Sequence, residues 1–133
     1  MGLSVERKIE VYIGRGWCPV PWRHHPQEIR DEIRRLGFRP QLKQCFRNSQ
    51  IFLVGSTLEG LEYMEGWSRS PSGIPVVHAW LLYDGKPLDL TSETLVPICG
   101  TKYKRDDVVA SARATEMWQA INESEIYSQF GEW

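Results

Sequence analysis

Residues 75–91 read PVVHAWLLYDGKPLDLT, and the fold turns on how this stretch pairs with itself. The run from Pro75 to Tyr83 is apolar apart from His78, and Pro87–Thr91 resumes an alternating pattern. Asp84-Gly85 between them is the strongest short hairpin signal, because a type I′ turn needs positive φ at both central residues. With Tyr83 facing Lys86, antiparallel pairing sets Trp80 opposite Asp89 and His78 opposite Thr91. The period of two then puts all four side chains on one face of the sheet. His78 and Asp89 become diagonal neighbours, with α carbons about 7–8 Å apart. A three-residue turn would instead shift the register by one and send Asp89 to the opposite face.

Outward from the hairpin, Leu61–Trp67 reads as a further strand, Leu95–Cys99 as a fourth, and residues 8–13 as one more, ending at Gly14. The segment from Gly16 to His25 is a loop broken by Pro19 and Pro21. Pro26 opens a helix whose apolar stripe is Ile29, Ile33 and Leu36, and Gly37 closes it. Beyond Pro40, a second helix is expected from Gln44 to Val54, ended by Gly55. A long helix is expected from Asp106 to about Asn122, with Ala110, Ala114, Met117 and Ile121 as its stripe, and Ile126, Phe130 and Trp133 continue the period. The expectation is a single α+β domain over residues 1–133, in which a helix bearing Cys45 packs on a small antiparallel sheet.

The 133 residues are 41% hydrophobic and 25% charged, an ordinary globular composition. A formal charge of −1 gives no general pull toward nucleic acid or an anionic membrane. No apolar run approaches the roughly 20 residues needed to cross a bilayer. The opening MGLSVERKIEV lacks signal-peptide character, and Cys18, Cys45 and Cys99 do not form a disulfide framework, so a cytoplasmic protein is expected.

Three residues carry chemistry. Cys45 lies at the start of a helix, where unpaired backbone N–H groups favour a thiolate and can hold an oxyanion. A small buried hydrophobe is the plain alternative. His78 is the polar residue of an apolar strand and needs a partner, which a structural hydrogen bond would also supply. Asp89 can accept the imidazole N–H and fix its tautomer, or serve as a hydrogen-bonded strand-end carboxylate.

Cys45 on a helix, the strand ending Tyr63-Met64-Glu65-Gly66, His78-Ala79-Trp80 and Asp89-Leu90-Thr91 together resemble the core of the transglutaminase-like superfamily. Papain-like peptidases and arylamine N-acetyltransferases share the same Cys, His, Asp order. The resemblance covers residues 44–91 and implies Cys45 as nucleophile, His78 as general base then acid, and Asp89 as orienter. Residue 90 is Leu where the family has Pro, and Arg39 occupies the position of the papain-like oxyanion glutamine. Gln41 and Gln44 are the nearby oxyanion candidates, and Trp80 is a candidate for substrate binding. The implied function is amide hydrolysis, as a protease or deamidase, or transamidation on a protein or peptide substrate, with no cofactor or metal. The alternative is an inactive scaffold of the same kind that binds a protein partner, such as an effector that inhibits a host protein.

Weaker features remain. Cys18, His24 and His25 lack metal-ligand spacing. Arg30, Arg34, Arg35, Arg39 and Lys43 form either a solvated helix face or a docking surface. Trp17, Trp22, Trp67 and Trp80 line a groove or fill the core, and Glu65 is an exposed strand charge or a neighbour of the site.

Overall fold

Residues 61–69 and the apolar run 75–83 form two long paired strands at the centre of the computed structural model, which describes residues 9–11, 19, 21–115 and 118–130. In chain order the elements are β1 (Ile9–Val11), α1 (Gln27–Leu36), α2 (Cys45–Gly55), β2 (Leu61–Arg69), β3 (Pro75–Tyr83), β4 (Lys86–Leu88), β5 (Val96–Tyr103), α3 (Arg105–Thr115) and α4 (Glu123–Ser128). A single 3₁₀ turn, Trp22–His24, precedes α1. The strands form one sheet in the order β1-β5-β2-β3-β4, and every neighbouring pair is antiparallel. The architecture is therefore α+β. Gly14, Trp17, Cys18, Met117 and Trp133 lie outside the described residues, as does most of the strand expected over residues 8–13.

The hairpin adopts the two-residue turn. Asp84 and Gly85 have φ of 51° and 77°, as a type I′ turn requires. Leu81 pairs with Leu88, Leu82 with Pro87 and Tyr83 with Lys86. β4 ends at Leu88 and does not reach Thr91. The reason is local: the Thr91 and Ser92 amides each donate to Asp89 Oδ1 at 2.9 Å, so they are unavailable to a ladder.

Helix α1 stops at Gly37, which is left-handed at φ 61° and donates its N–H to the Arg34 carbonyl. Pro26 stands one residue earlier than expected, at the N-cap. At the end of α2, buried Glu32 of α1 accepts from the Ser56 hydroxyl and from the Thr57 N–H. The Arg35 guanidinium first, and then these donors, hold the Glu32 carboxyl down to about 2 against the opposing effect of burial. This carboxylate fastens α1 to the end of α2.

β5 runs to Tyr103, further than its sequence suggests, because it is paired on both edges, by β1 and by β2. Of the long helix expected from Asp106 to Asn122, α3 covers residues up to Thr115, and residues 118–122 belong to no helix. Their backbone groups bond side chains of the sheet and of α2. Ile121 and Asn122 donate to the two oxygens of Glu65, and the Gln119 carbonyl accepts from Gln50.

The main core lies between the helices and one sheet face. It joins Ile29, Phe52, Leu53 and Val108 to Tyr63, Ala79, Leu81, Leu88 and Tyr103. Each large apolar side chain buried here contributes about 1.5–3 kcal/mol. On the opposite face, Met64, Trp80 and Leu82 form a smaller buried cluster. Trp80 fits because Gly100 leaves room: a Cβ there would lie 3.1 Å from the indole.

Candidate active site

The polar atoms of the site are held by short local structures. His78 lies in the middle of β3, buried and directly across from Gly66. Asp89 follows the last residue of β4, and its side chain folds back to make the turn that ends the strand. That turn aims Asp89 Oδ2 at His78 Nε2, 2.6 Å away. The Cys45 side chain also hydrogen-bonds the imidazole and, with Asp89, favours its cationic form. The structure thus brings Cys45, His78 and Asp89 together in that order.

Electrostatics follow from this packing. Burial works against a charged imidazole, yet the Asp89 hydrogen bond and charge, supplemented by Cys45, outweigh it and hold His78 protonated up to about 10. Trp80 lies nearly parallel to the His78 ring, at 17° and 6.2 Å between centroids. It is fully buried, so it backs the histidine and offers no surface to a substrate.

Cys45 is the first residue of α2, and no side chain caps that helix. The first intrahelical bond runs from Asn48 N–H to the Gln44 carbonyl at 2.8 Å. The N–H groups of the first turn, beginning with Cys45 itself, therefore remain as donors beside the sulfur. The preceding turn, residues 41–44, places Lys43 at φ 61°, a left-handed conformation that costs a non-glycine residue about 1–2 kcal/mol. Asn48 holds that turn in place. Its carboxamide accepts from Gln41 N–H at 2.9 Å and donates to the Gln41 carbonyl at 2.8 Å, and it also donates to Thr91 Oγ1 at 2.9 Å. One buried side chain thus ties the approach to Cys45 to the turn that carries Asp89.

Gln41 and Gln44 are both exposed. Gln44 lines a groove of about 370 Å³ with Phe46, Val77, Trp118, Ala120 and Tyr127, so the lining brackets Cys45 and adjoins His78 in sequence. Gln41 faces a separate depression with Arg39, Arg47 and Ile51. A cavity of about 440 Å³ is lined in part by Asp89, with Phe38, Arg39 and Leu90 also in its walls.

Three further residues contribute, of which the sequence singled out Glu65 and His25 but not the parts they play. Asn48 stands one helical turn after Cys45, a spacing that carried the only advance signal of its role. Glu65 is fully buried, neither exposed nor beside solvent, and accepts from Tyr63 Oη at 2.7 Å. Burial, then the Glu65 charge, raises the Tyr63 hydroxyl well above its ordinary range and keeps it a donor. His25 is buried and bonds the Asp89 main chain, and burial lowers its pKa despite that partner. His24 is exposed, Cys18 is outside the described residues, and among those residues no three His, Cys, Asp or Glu side chains converge as metal ligands.

Cys99 is buried, with its thiol 3.7 Å from Gln129 Oε1. No helix among the described residues is long and apolar enough to cross a membrane. No family model matches the chain, and neither a curated protein nor a solved structure matches it.

Proposed function

We propose that this protein is a small cysteine-dependent acyl-transfer enzyme with a transglutaminase-like or papain-like core, acting on amide bonds of a protein or peptide. The observation that carries the reading is His78, with Nε2 on Asp89 and its imidazole also hydrogen-bonded by the Cys45 side chain. A protonated imidazole beside the sulfur supports a thiolate nucleophile. Cys45 Sγ attacks the carbonyl carbon, forming the C–S bond, and the oxyanion rests on the N–H groups at the start of α2. The C–N bond then breaks as His78 gives its proton to the departing amine. Water or a second amine attacks the thioester while His78 takes up the proton, and the C–S bond breaks to restore the thiolate. Asp89 keeps the ring oriented and its charge balanced throughout.

Selective alkylation tests the site. With limiting iodoacetamide at pH 6, Cys45 is expected to react first, and buried Cys99 to react at least about tenfold more slowly, by peptide mass spectrometry. Cys45→Ala should abolish amide turnover and change unfolding stability by less than about 1 kcal/mol. An active Cys45→Ala, or faster labelling of Cys99, would remove Cys45 as nucleophile. The inactive binding scaffold predicts that Cys45→Ala keeps full biological activity.

A further inference from the structure

Residues 118–122 run without helix or strand, yet both ends of this strap are anchored to buried side chains. Ile121 N–H donates to Glu65 Oε2 at 2.9 Å and Asn122 N–H to Glu65 Oε1 at 2.8 Å. The Gln119 carbonyl accepts from Gln50 Nε2 at 2.7 Å, and the same Gln50 amide donates to Tyr63 Oη. Glu65 is fully buried in the middle of β2, so this carboxylate carries its charge into the interior to hold a piece of main chain. A surface loop needs no such anchor. What the strap builds explains the arrangement: Trp118 and Ala120 line a groove together with Ile126 and Tyr127 of α4 and with Phe46 and Val77, the chain neighbours of Cys45 and His78.

We infer that Glu65 is a positioning residue for substrate selection, clamping the 118–122 strap so that it completes a groove for an aromatic or large apolar side chain of the acyl donor. The inference rests on Cys45 being the nucleophile. The volume, about 370 Å³, falls within the range of small-ligand clefts, roughly 300–1,000 Å³. Trp118 is 36% and Tyr127 55% exposed, so two aromatic rings are open to an occupant. The charged lining residues, Lys43 and Glu123, are one of each sign and both exposed, which leaves apolar contact as the basis of selection.

Two reagents separate the groove from the nucleophile: iodoacetamide, which needs only the sulfur, and N-phenyl iodoacetamide, which adds a ring. The rate ratio of the second to the first at Cys45, corrected by the same ratio for N-acetylcysteine, is expected to exceed unity by about tenfold. Trp118→Ala and Glu65→Gln should each return the ratio to near unity while the iodoacetamide rate stays as in the wild type. In the unaltered protein, amide exchange should find the Ile121 and Asn122 N–H groups protected, and rapid exchange there overturns the clamp whatever Glu65→Gln does to folding. A wild-type ratio near unity with fast iodoacetamide labelling overturns the groove alone. Slow iodoacetamide labelling of Cys45 overturns the nucleophile and the inference with it.

Discussion

Asp89 uses its two carboxylate oxygens for different tasks, and the division sets what a substitution there does. Oδ2 faces His78, while Oδ1 takes the Thr91 and Ser92 amides. An asparagine keeps one oxygen and presents an NH₂ in place of the other. Kept on the backbone amides, its oxygen leaves the NH₂ pointing at Nε2, which forces the imidazole proton onto Nδ1. Asp89→Asn should therefore fold, with a loss of about 1–3 kcal/mol from the altered hydrogen bonds, and lower turnover by about 10⁴-fold. Parallel unfolding and rate measurements check this, and a variant with wild-type rate would show that Asp89 serves only the turn. The pairing of His78 with Asp89 was legible from sequence only on reading Asp84-Gly85 as a two-residue turn, the alternative that the φ values of these two residues bear out. The second task of Asp89 was not, since a side chain bonding its own following amides leaves no trace in the hydropathy pattern.

Among the elements, the contact of β2 with β5 tolerates least. Gly66 lies directly across from Gly100, and a Cβ at Gly66 would stand 2.2 Å from the Cys99 carbonyl oxygen. Backbone on that side cannot rotate away as a side chain can. Gly66→Ala should lower stability by about 3 kcal/mol or more, read as an earlier denaturant midpoint, whereas Gly73→Ala, with nothing within 4 Å but a φ of 86°, should cost about 1 kcal/mol. Equal midpoints for the two variants would refute this packing. The sequence made β3 plain through its apolar run and the Asp-Gly turn that follows it, and α1 through its stripe and terminal glycine. It did not reveal the break after α3. Residues 106–122 have helical periodicity, and the groups that draw their end away are Glu65 and Gln50, more than 50 residues distant in the chain. Local propensity carries no information about such partners.

For the whole molecule, the charge network of the site couples acidity to stability. His78 titrates near 6.5 when unfolded and about 10 when folded. Its raised value stabilises the fold fully below the unfolded value, and that contribution is lost as pH rises from about 6.5 through 10. Denaturant midpoints should fall over this window and flatten in His78→Gln; an equal fall in both would assign the loss to other groups. The overall α+β arrangement was readable from the order of patterns, but the joining of separate segments was not. Asn48 connects the 41–44 turn to Thr91, and Glu65 connects the strap to β2, through polar contacts that hydropathy does not encode. The near-parallel placement of Trp80 over His78 gives the protein an optical reading of its own protonation. A cationic imidazole at that range quenches indole fluorescence by accepting an excited electron, and a neutral one does so far less. The emission lost on changing Trp80 to Phe should therefore be small at pH 7 and grow as the solution passes pH 10, so the molecule would brighten where it also weakens.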